Sequence, residues 1–292
     1  MEIPLVPLGE LYGLRLESWL ADRGVNVRLT TGVRAVNADE DGSMCGVLLR
    51  SGEVVAADFV VLAVPFDRVA SMLPATLGDQ IPALAGIDSL AASPITGIHL
   101  WFDRPVCPFD HVVTIGRQIQ WVFNHTAIQG RRPGDHDGGE YLQLVISASY
   151  DLLDKDKSEI LEAVVRELGE IWPATREARL LRSWVVTEHG ATFAVRPGVD
   201  AVRPEQRTPI DGLFLAGDWT KTGWPPTMEG AVRSGYLAAE EILRDLGQPL
   251  SLLQPDLSQG TLARWLLGPR ADDRIAGRFV PAIPPAYPAL RG

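Results

Sequence analysis

The segment GLFLAGDWTKTGWPPTMEGAVRSGY, residues 212–236, decides the fold assignment. It opens with Leu213 to Ala216, an unbroken apolar run that predicts a short strand covered on both faces, as strands of parallel sheets are. This strand runs directly into Gly217 and Asp218. A helix is predicted to follow from Thr227, a residue type that suits a helix N-cap, to Leu246. The order is therefore strand, Gly-Asp junction, aromatic loop and helix.

The junction has residue types that suit ligand binding. Gly217 has no side chain, so another group can approach the backbone there. Asp218 places a carboxylate at the strand end, where it can accept hydrogen bonds from sugar or polyol hydroxyls. Trp219 and Trp224 lie in the loop, and the Pro-Pro pair that begins at Pro225 stiffens the approach to the helix.

The helix start favours negative charge beside it. Its free N–H groups and positive dipole end lie at Thr227, Met228 and Glu229. Small residues follow, among them Ala231, and they permit close contact with a flat ligand. The same small residues would equally serve tight packing of the helix against the protein. A cradle for a planar anionic ring and an ordinary packing surface are therefore both open at this point.

Outward from this segment, the first seventy residues predict a mixed structure. A helix is expected over Leu8–Arg23, with Gly24 as its stop. Phe59–Val64 is apolar at every position and predicts a second strand covered on both faces, ended by Pro65. Phe66–Met72 should be a short helix. Between the first helix and Phe59 the predicted strands are Val25–Leu29, Val33–Asn37 and a hairpin of Cys45–Arg50 with Glu53–Ala57.

The middle of the chain predicts a β-rich region followed by an amphipathic helix at Lys155–Trp172. Residues 190–210 form a Pro- and Arg-rich loop, and the tail from Gly247 is Pro-rich with one helix at Leu262–Leu267. The predicted strands are Ile95–Phe102, His111–Ile115, Gln118–Asn124, Tyr141–Ser147 and Leu180–Val186.

Composition excludes several classes of function. The chain has 292 residues, 46% of them hydrophobic, so a sizeable core can form. A net charge of −10 without a Lys/Arg cluster argues against nucleic-acid binding. Two distant cysteines predict reduced thiols, and the Gly/Asp-rich tract 134–139, which contains His136, predicts a solvated turn and not a metal loop. No apolar run approaches the ~20 residues that span a bilayer and no secretion signal opens the chain, so we expect a cytoplasmic protein.

The string from Ala216 to Tyr236 resembles the C-terminal flavin-binding motif of the FAD-dependent amine oxidase and phytoene desaturase superfamily. It is particularly similar to squalene-associated FAD-dependent desaturases, the hydroxysqualene dehydroxylases. Two further stretches resemble this family: the helix-strand-strand region that begins at Pro7, and the strand Ala57–Pro65. The resemblance covers about residues 4 to 246.

The resemblance implies FAD as the cofactor and gives roles to individual residues. Gly217 and Asp218 would meet the diphosphate and ribityl chain, and the backbone of Val33 would contact the adenine. The residues implied to lie near the isoalloxazine, or in the loop and helix beside it, are Trp219, Trp224, Pro225, Thr227, Met228 and Ala231. The helix dipole would face the end of the flavin that carries negative charge when reduced.

The sequence also departs from the family pattern. The family begins with a strand, a Gly-x-Gly-x-x-Gly turn and a helix, and no such turn follows a strand here. Pro226 stands where a smaller residue is expected. The expected fold class is therefore α/β (α+β): a partial Rossmann-like FAD-binding domain that lacks its first βαβ unit, with a β-rich plus helical substrate domain. The expected division is 1–70 and 211–246 for the FAD domain, 71–210 for the substrate domain and 247–292 for the tail.

The implied activity is redox chemistry on a long isoprenoid, with reductive dehydroxylation of hydroxysqualene to squalene as the first expectation. The catalytic acid is unassigned, and Glu229, His99 and His125 are the titratable candidates. A carotenoid desaturase and an amine oxidase are alternatives, the latter disfavoured because Lys221 lies in the loop. A third alternative is that the chain is not an active enzyme by itself. It would then be an inactive fragment, or one subunit of a split flavoenzyme with an N-terminal partner chain. The lipid-like substrate also suggests peripheral contact with the inner membrane.

The tunnel that such a substrate needs would come from the β-rich region. The same residues serve equally well as an ordinary core. They are Ile95, Ile98, Leu100, Trp101, Phe102, Trp121, Val122 and Phe123.

Overall fold

The structure is a computed structural model that describes residues 3–41, 43–130, 138–254, 256, 260–262 and 265. It contains a three-stranded sheet, a two-stranded parallel sheet and a five-stranded sheet, with helices packed against them. The mixed α/β class predicted from sequence is confirmed. The predicted domain boundaries stay a prediction.

The predicted N-terminal helix is divided into three parts. They are α1 (Leu8–Glu10), a π-helical stretch (Leu11–Arg15) and α2 (Leu16–Ala21). Gly13 interrupts the helix with φ −95° and ψ −114°. Gly24 has a φ of +72°, the left-handed conformation expected of a residue that ends a helix.

The three-stranded sheet is antiparallel and consists of β1 (Val33–Ala38), β2 (Met44–Leu49) and β3 (Val54–Ala56). The predicted hairpin is confirmed by the pairing of β2 with β3. The predicted strand Val25–Leu29 is wrong, because this stretch alternates in sequence but pairs with no strand among the described residues. Val25, Val27 and Leu29 are 46%, 41% and 62% exposed.

The two fully apolar runs pair with each other. β4 (Val60–Leu62) and β10 (Leu213–Leu215) form a parallel pair in the register Val60↔Leu213. The prediction of coverage on both faces holds for β10, whose residues are all buried. It is wrong for β4, because Val61 is 39% exposed. Among the described residues, cover is therefore incomplete only at Val61 of β4, since its neighbour Phe214 on β10 is buried.

A helical segment follows β4 and packs on this pair. It consists of α3 (Phe66–Met72), α4 (Ala75–Gly78) and α5 (Leu84–Ile87). The hydrophobic cluster that joins it to the strands includes Val36, Leu62, Val69, Leu77, Leu215 and Trp219.

The β-rich region forms the five-stranded antiparallel sheet, in the spatial order β6-β7-β8-β5-β9. The helix α6 (His125–Gln129) directly follows β7. The strands are β5 (Ala92–Phe102), β6 (His111–Val113), β7 (Trp121–Asn124), β8 (Glu140–Ser147) and β9 (Leu180–Phe193). Because β9 continues to Phe193, the predicted loop over 190–210 begins four residues too early.

One face of this sheet is closed by α7 (Lys157–Ile171), which Asp156 and Glu159 begin with a capping box. Buried Ile160, Val164 and Leu168 of α7 belong to the same core as the sheet. The short helix α8 (Ala174–Glu177) leads from α7 into β9.

The residues predicted to line either a substrate tunnel or an ordinary core lie on two different faces of this sheet, because side chains alternate along each strand. Ile98, Leu100, Phe102 and Val122 are buried against α7. Ile95, Trp101, Trp121 and Phe123 alternate with them and lie on the opposite side of the sheet. We call that opposite side the open face.

The last helix, α9, spans Met228–Asp245, close to the predicted 227–246. Most of the predicted tail helix Leu262–Leu267, and residues 134–137 of the Gly/Asp-rich tract, lie outside the described residues. Within the described part of the chain, no helix is long and apolar enough to cross a bilayer. No cluster of three or more potential metal ligands occurs there either.

Candidate functional site

The end of β10 and the start of α9 are in direct contact. The Gly217 N–H donates a hydrogen bond to Ser234 Oγ at 2.7 Å, and Ser234 Oγ donates to the Ala231 carbonyl at 2.6 Å. Buried Phe214 and Ala238 also join the strand to the helix. The sequence-predicted junction is therefore one continuous surface.

The absence of a side chain at Gly217 is required by a neighbouring tryptophan. A Cβ at this position would lie 2.2 Å from Trp219 Nε1, and the φ of Gly217 is +141°. The Trp219 indole is 1% exposed and donates a hydrogen bond to the Val64 carbonyl at 2.9 Å. Trp219 therefore ties the junction to the end of β4, and it offers a ligand its backbone and not its ring.

Asp218 lies beside the first turn of α9. Its Cβ is 3.7 Å from the Cβ that a larger residue at Gly230 would carry. The side chain is half-buried, and burial raises the pKa of its carboxyl above the ordinary value, while the Trp219 backbone N–H, Arg203 and the Asp218 backbone N–H oppose the shift. The backbone N–H groups of Trp219 and Asp218 interact with this carboxylate, but no side chain in the described ranges donates a hydrogen bond to it, so its remaining acceptor capacity is available to a ligand.

Arg203 holds the loop between Asp218 and Trp224 in shape, a role that the sequence analysis did not predict. Its guanidinium is 3% exposed and pairs with Asp200 at 2.7 Å. It donates to the carbonyls of Asp218 at 2.9 Å and Trp224 at 3.0 Å, and to that of Thr220. A buried arginine needs several acceptors, and a loop of backbone carbonyls supplies them. The one sequence feature that points to Arg203 is its position shortly before an apolar strand that is followed by a polar loop.

The start of α9 is capped and partly covered. Thr227 Oγ1 accepts a hydrogen bond from the Gly230 N–H at 3.1 Å. The Glu229 carboxylate is held by Arg233 at 2.8 Å. The Arg233 guanidinium lies 4.2 Å from the centre of the Trp224 ring, so one face of that ring is occupied.

The outward surface of this junction is open. Pro225, Thr227 and Ala231 are exposed, and the Met228 side chain is 57% exposed. Nothing lies within 4 Å of a Cβ added at Gly235, one turn further along. A flat ligand could therefore lie against small and apolar atoms here, close to Asp218 and to the positive end of a long helix.

The other predicted site residues lie elsewhere. Val33 begins β1 and pairs with Leu49, and Val36 of the same strand packs in the core that contains Trp219. His99 on β5 and His125 at the start of α6 lie close together, on either side of Tyr141, whereas Glu229 lies at the junction.

A surface groove lies between α7 and β9, apart from the junction. It is lined by Lys157, Ser158, Leu161, Ser183, Trp184 and Val185. It contains neither the Asp218 carboxylate nor the start of α9, so we do not assign it to the candidate site.

Comparison with known proteins supports a flavoprotein assignment. The family model described as flavin containing amine oxidoreductase matches residues 15–243. The 15-cis-phytoene desaturase of Solanum lycopersicum is 29% identical to this chain, over 83% of this chain and 42% of that protein. The hydroxysqualene dehydroxylase of Sinorhizobium fredii is 31% identical, over 83% of this chain and 53% of that protein. The chain thus spans about half the length of the curated relatives it matches.

Solved structures show the same fold at low identity. An oxidoreductase from Methanosarcina mazei matches with a TM-score of 0.57 and 19% identity, over 78% of this chain and 52% of that chain. Reduced UDP-galactopyranose mutase matches with a TM-score of 0.52 and 18% identity, over 74% of this chain and 46% of that chain. With the family match over most of its length, this chain belongs to the flavin containing amine oxidoreductase family.

Proposed function

We propose that this chain forms the flavin-facing C-terminal part of an FAD-dependent oxidoreductase, and that it reductively dehydroxylates hydroxysqualene to squalene. The observation that carries the proposal is the junction: the Asp218 carboxylate, free of side-chain partners among the described residues, lies beside the exposed start of α9. The family match and the hydroxysqualene dehydroxylase relative support the cofactor and the substrate class.

The residues of the junction fit a flavin dinucleotide. Asp218 accepts hydrogen bonds from hydroxyl groups, the positive end of α9 favours an anionic ring edge, and Ala231 and Met228 present a surface that a flat ring can cover. Reduced FAD, when bound, would supply the hydride, and the substrate hydroxyl would leave as water. The chain itself would orient the ring, exclude water from one side of it and hold the loop through Arg203.

The direction of the redox reaction separates this proposal from a second candidate. The phytoene desaturase relatives, 28–30% identical, favour removal of hydrogen from a polyene with the same site and cofactor. Amine oxidation has weaker support, because Lys221 is 54% exposed and paired with Glu205 at 2.9 Å in the loop.

We further propose that an N-terminal partner segment completes the flavin site, carried on a second chain that has a Gly-x-Gly-x-x-Gly turn. The support is a group of exposed large apolar side chains within residues 5–29, which we call the N-terminal apolar face. Its members are Leu5, Leu8, Tyr12, Leu14, Leu16, Trp19, Val25, Val27 and Leu29. The exposed Val61 side chain on β4 is a second apolar position of the same kind.

The experiment measures FAD binding and product formation separately. FAD is titrated into the chain alone and into the chain co-expressed with such a partner. Reduced FAD with hydroxysqualene, and oxidised FAD with phytoene, are then assayed for products by mass spectrometry. Squalene formation supports the dehydroxylase, and desaturated phytoene supports the second candidate. Absence of FAD binding in both preparations would contradict the proposal and favour an inactive fragment.

A pair of variants tests the surface of α9. Ala231→Trp places a bulky ring where the flavin should lie and is expected to weaken FAD binding at least tenfold. Leu246→Trp, at the far end of the same helix and also exposed, is the control and should leave FAD binding unchanged. Equal FAD affinities for the two variants would contradict the proposal that the flavin lies against the start of α9.

A further inference from the structure

The open face of the five-stranded sheet carries a polar row on neighbouring strands. His99 and Trp101 come from β5, Tyr141 and Gln143 from β8, and His125 from the start of α6. All are half-buried, whereas the alternate residues of β5 and β8 are buried against α7. A sheet whose second face is occupied by rings and imidazoles is suited to contact a ligand.

Aromatic stacking fixes the positions of these side chains. The Trp101 and Tyr141 rings lie 4.4 Å apart with 4° between their planes, and the His125 and Tyr141 rings lie 4.8 Å apart with 15°. His125 Nε2 contacts Gln143 Oε1 at 2.7 Å, and Arg182 lies 4.5 Å from the centre of the Trp101 ring. These side chains therefore form a preorganised group.

His99 is held within this row by one of its two nitrogens. Its Nδ1 lies 2.7 Å from the Tyr141 hydroxyl. Burial, and to a lesser degree His125, lowers the pKa of His99, which favours the neutral imidazole. The Tyr141 hydroxyl can donate to Nδ1, and the tautomer that this donation requires carries its proton on Nε2.

Nε2 of His99 faces a gap in the side chains of the open face. Gly97 lies two residues earlier on the same face of β5, and the nearest atom to a Cβ added there is His99 Nε2 at 3.9 Å. Val145 and Val186 stand opposite Gly97 on the two neighbouring strands, so they lie on the same face. Among the described residues, Nε2 has no hydrogen-bond partner. We call this apolar gap with one polar atom at its edge the Gly97 notch.

We propose that the Gly97 notch is a ligand subsite in which the His99 Nε2–H donates a hydrogen bond to the single oxygen of an apolar ligand, a long-chain isoprenoid alcohol. Val145 and Val186 contact the hydrocarbon next to that oxygen. The alcohol class rests on the proposed function, since hydroxysqualene has one hydroxyl on a hydrocarbon chain. A ligand without an oxygen would leave the Nε2–H without a partner, which gives the notch its selectivity.

The test compares an alcohol with a hydrocarbon in the absence of FAD. Geraniol and the hydrocarbon of the same carbon skeleton are titrated into the full chain by calorimetry. We expect wild-type protein to bind geraniol about five- to tenfold more tightly, the effect of one neutral hydrogen bond. His99→Phe should abolish this preference and still bind the hydrocarbon.

Two further variants separate the notch from general damage to the sheet. Gly97→Leu fills the notch and should weaken binding of both probes, whereas His111→Phe, at an exposed position on β6, should change neither affinity. Circular dichroism establishes that each variant is folded. A preference for geraniol that persists in His99→Phe overturns the subsite, and so does a wild-type chain that binds neither probe.

The outcome is distinguishable from failure of the proposed function. Intact selectivity for geraniol together with no squalene formation from hydroxysqualene would contradict the dehydroxylase proposal and leave the subsite standing. Squalene formation that is unaffected by His99→Phe, together with no selectivity for geraniol, would leave the dehydroxylase standing and remove the subsite.

Discussion

At the scale of single residues, the junction depends on charges that the protein has partly removed from water. Arg203 is compensated by a carboxylate and by several carbonyls, whereas the Asp218 carboxylate has no comparable side-chain partner among the described residues. The partners of Arg203 stabilise the folded protein. The partly buried Asp218 carboxylate lowers the free energy of unfolding, because it lacks such partners. The two residues therefore predict opposite responses to neutralisation.

Arg203→Met is expected to destabilise the chain. It leaves the carbonyls of Asp218, Thr220 and Trp224 without their donor, and it should lower the free energy of unfolding by about 3 kcal/mol. Urea denaturation measures the change. Arg207→Met is the control, because Arg207 is 39% exposed and its ion pairs should contribute within about 1 kcal/mol. Equal losses for the two variants would contradict a specific role of Arg203 in the loop.

Asp218→Asn is expected to stabilise the ligand-free chain and to weaken FAD binding. Burial raises the pKa of the Asp218 carboxyl, so the folded state holds this proton more tightly than the unfolded state, whose ordinary value is 3.8. Wild-type protein therefore loses stability as the pH rises from 3.8 through the folded pKa. The variant does not, and its melting temperature at pH 7 should be higher by about 1–2 °C. That gain should disappear below pH 3.8, and a gain independent of pH would refute the explanation.

At the scale of elements, the sequence predicted what depends on local patterns. The N-cap residue type at Thr227 predicted the start of α9 to within one residue, and the tight Ser51-Gly52 turn predicted the β2–β3 hairpin. The strand predicted at Val25–Leu29 is wrong because alternation alone does not supply a neighbouring strand. The predicted burial of Val61 is wrong because segments distant in sequence decide which faces of a strand are covered. The Arg203 contacts were unpredictable for the same reason: they join residues through the fold and follow no periodicity.

The start of α9 gives the element-scale prediction. Thr227→Ala removes the side-chain acceptor of the Gly230 N–H and should lower the free energy of unfolding by about 1 kcal/mol. Thr227→Ser keeps the hydroxyl and should retain most of that stability. Thermal unfolding followed by circular dichroism measures both variants. If alanine and serine behave alike, the cap does not stabilise the helix.

At the scale of the whole molecule, stability and association are connected through uncovered apolar surface. The five-stranded sheet has a continuous core with α7, whereas the N-terminal apolar face contacts water along its length. Surfaces of this kind bind a partner or associate with copies of themselves. We expect the isolated chain to self-associate, and the proposed partner segment to compete with that association.

Leu14→Glu tests this expectation, because the Leu14 side chain is 78% exposed at the centre of the N-terminal apolar face. Burying one leucine contributes about 1.5–3 kcal/mol, so the charge should weaken self-association at least about tenfold. Sedimentation velocity over a range of protein concentrations measures the effect.

Ile115→Glu is the matched control, since Ile115 is 94% exposed but follows β6 in the five-stranded sheet. The same substitution at Leu14 should also abolish FAD retention by the co-expressed pair. Equal behaviour of the two variants would show that exposed apolar area in general, and not the N-terminal apolar face, drives the association.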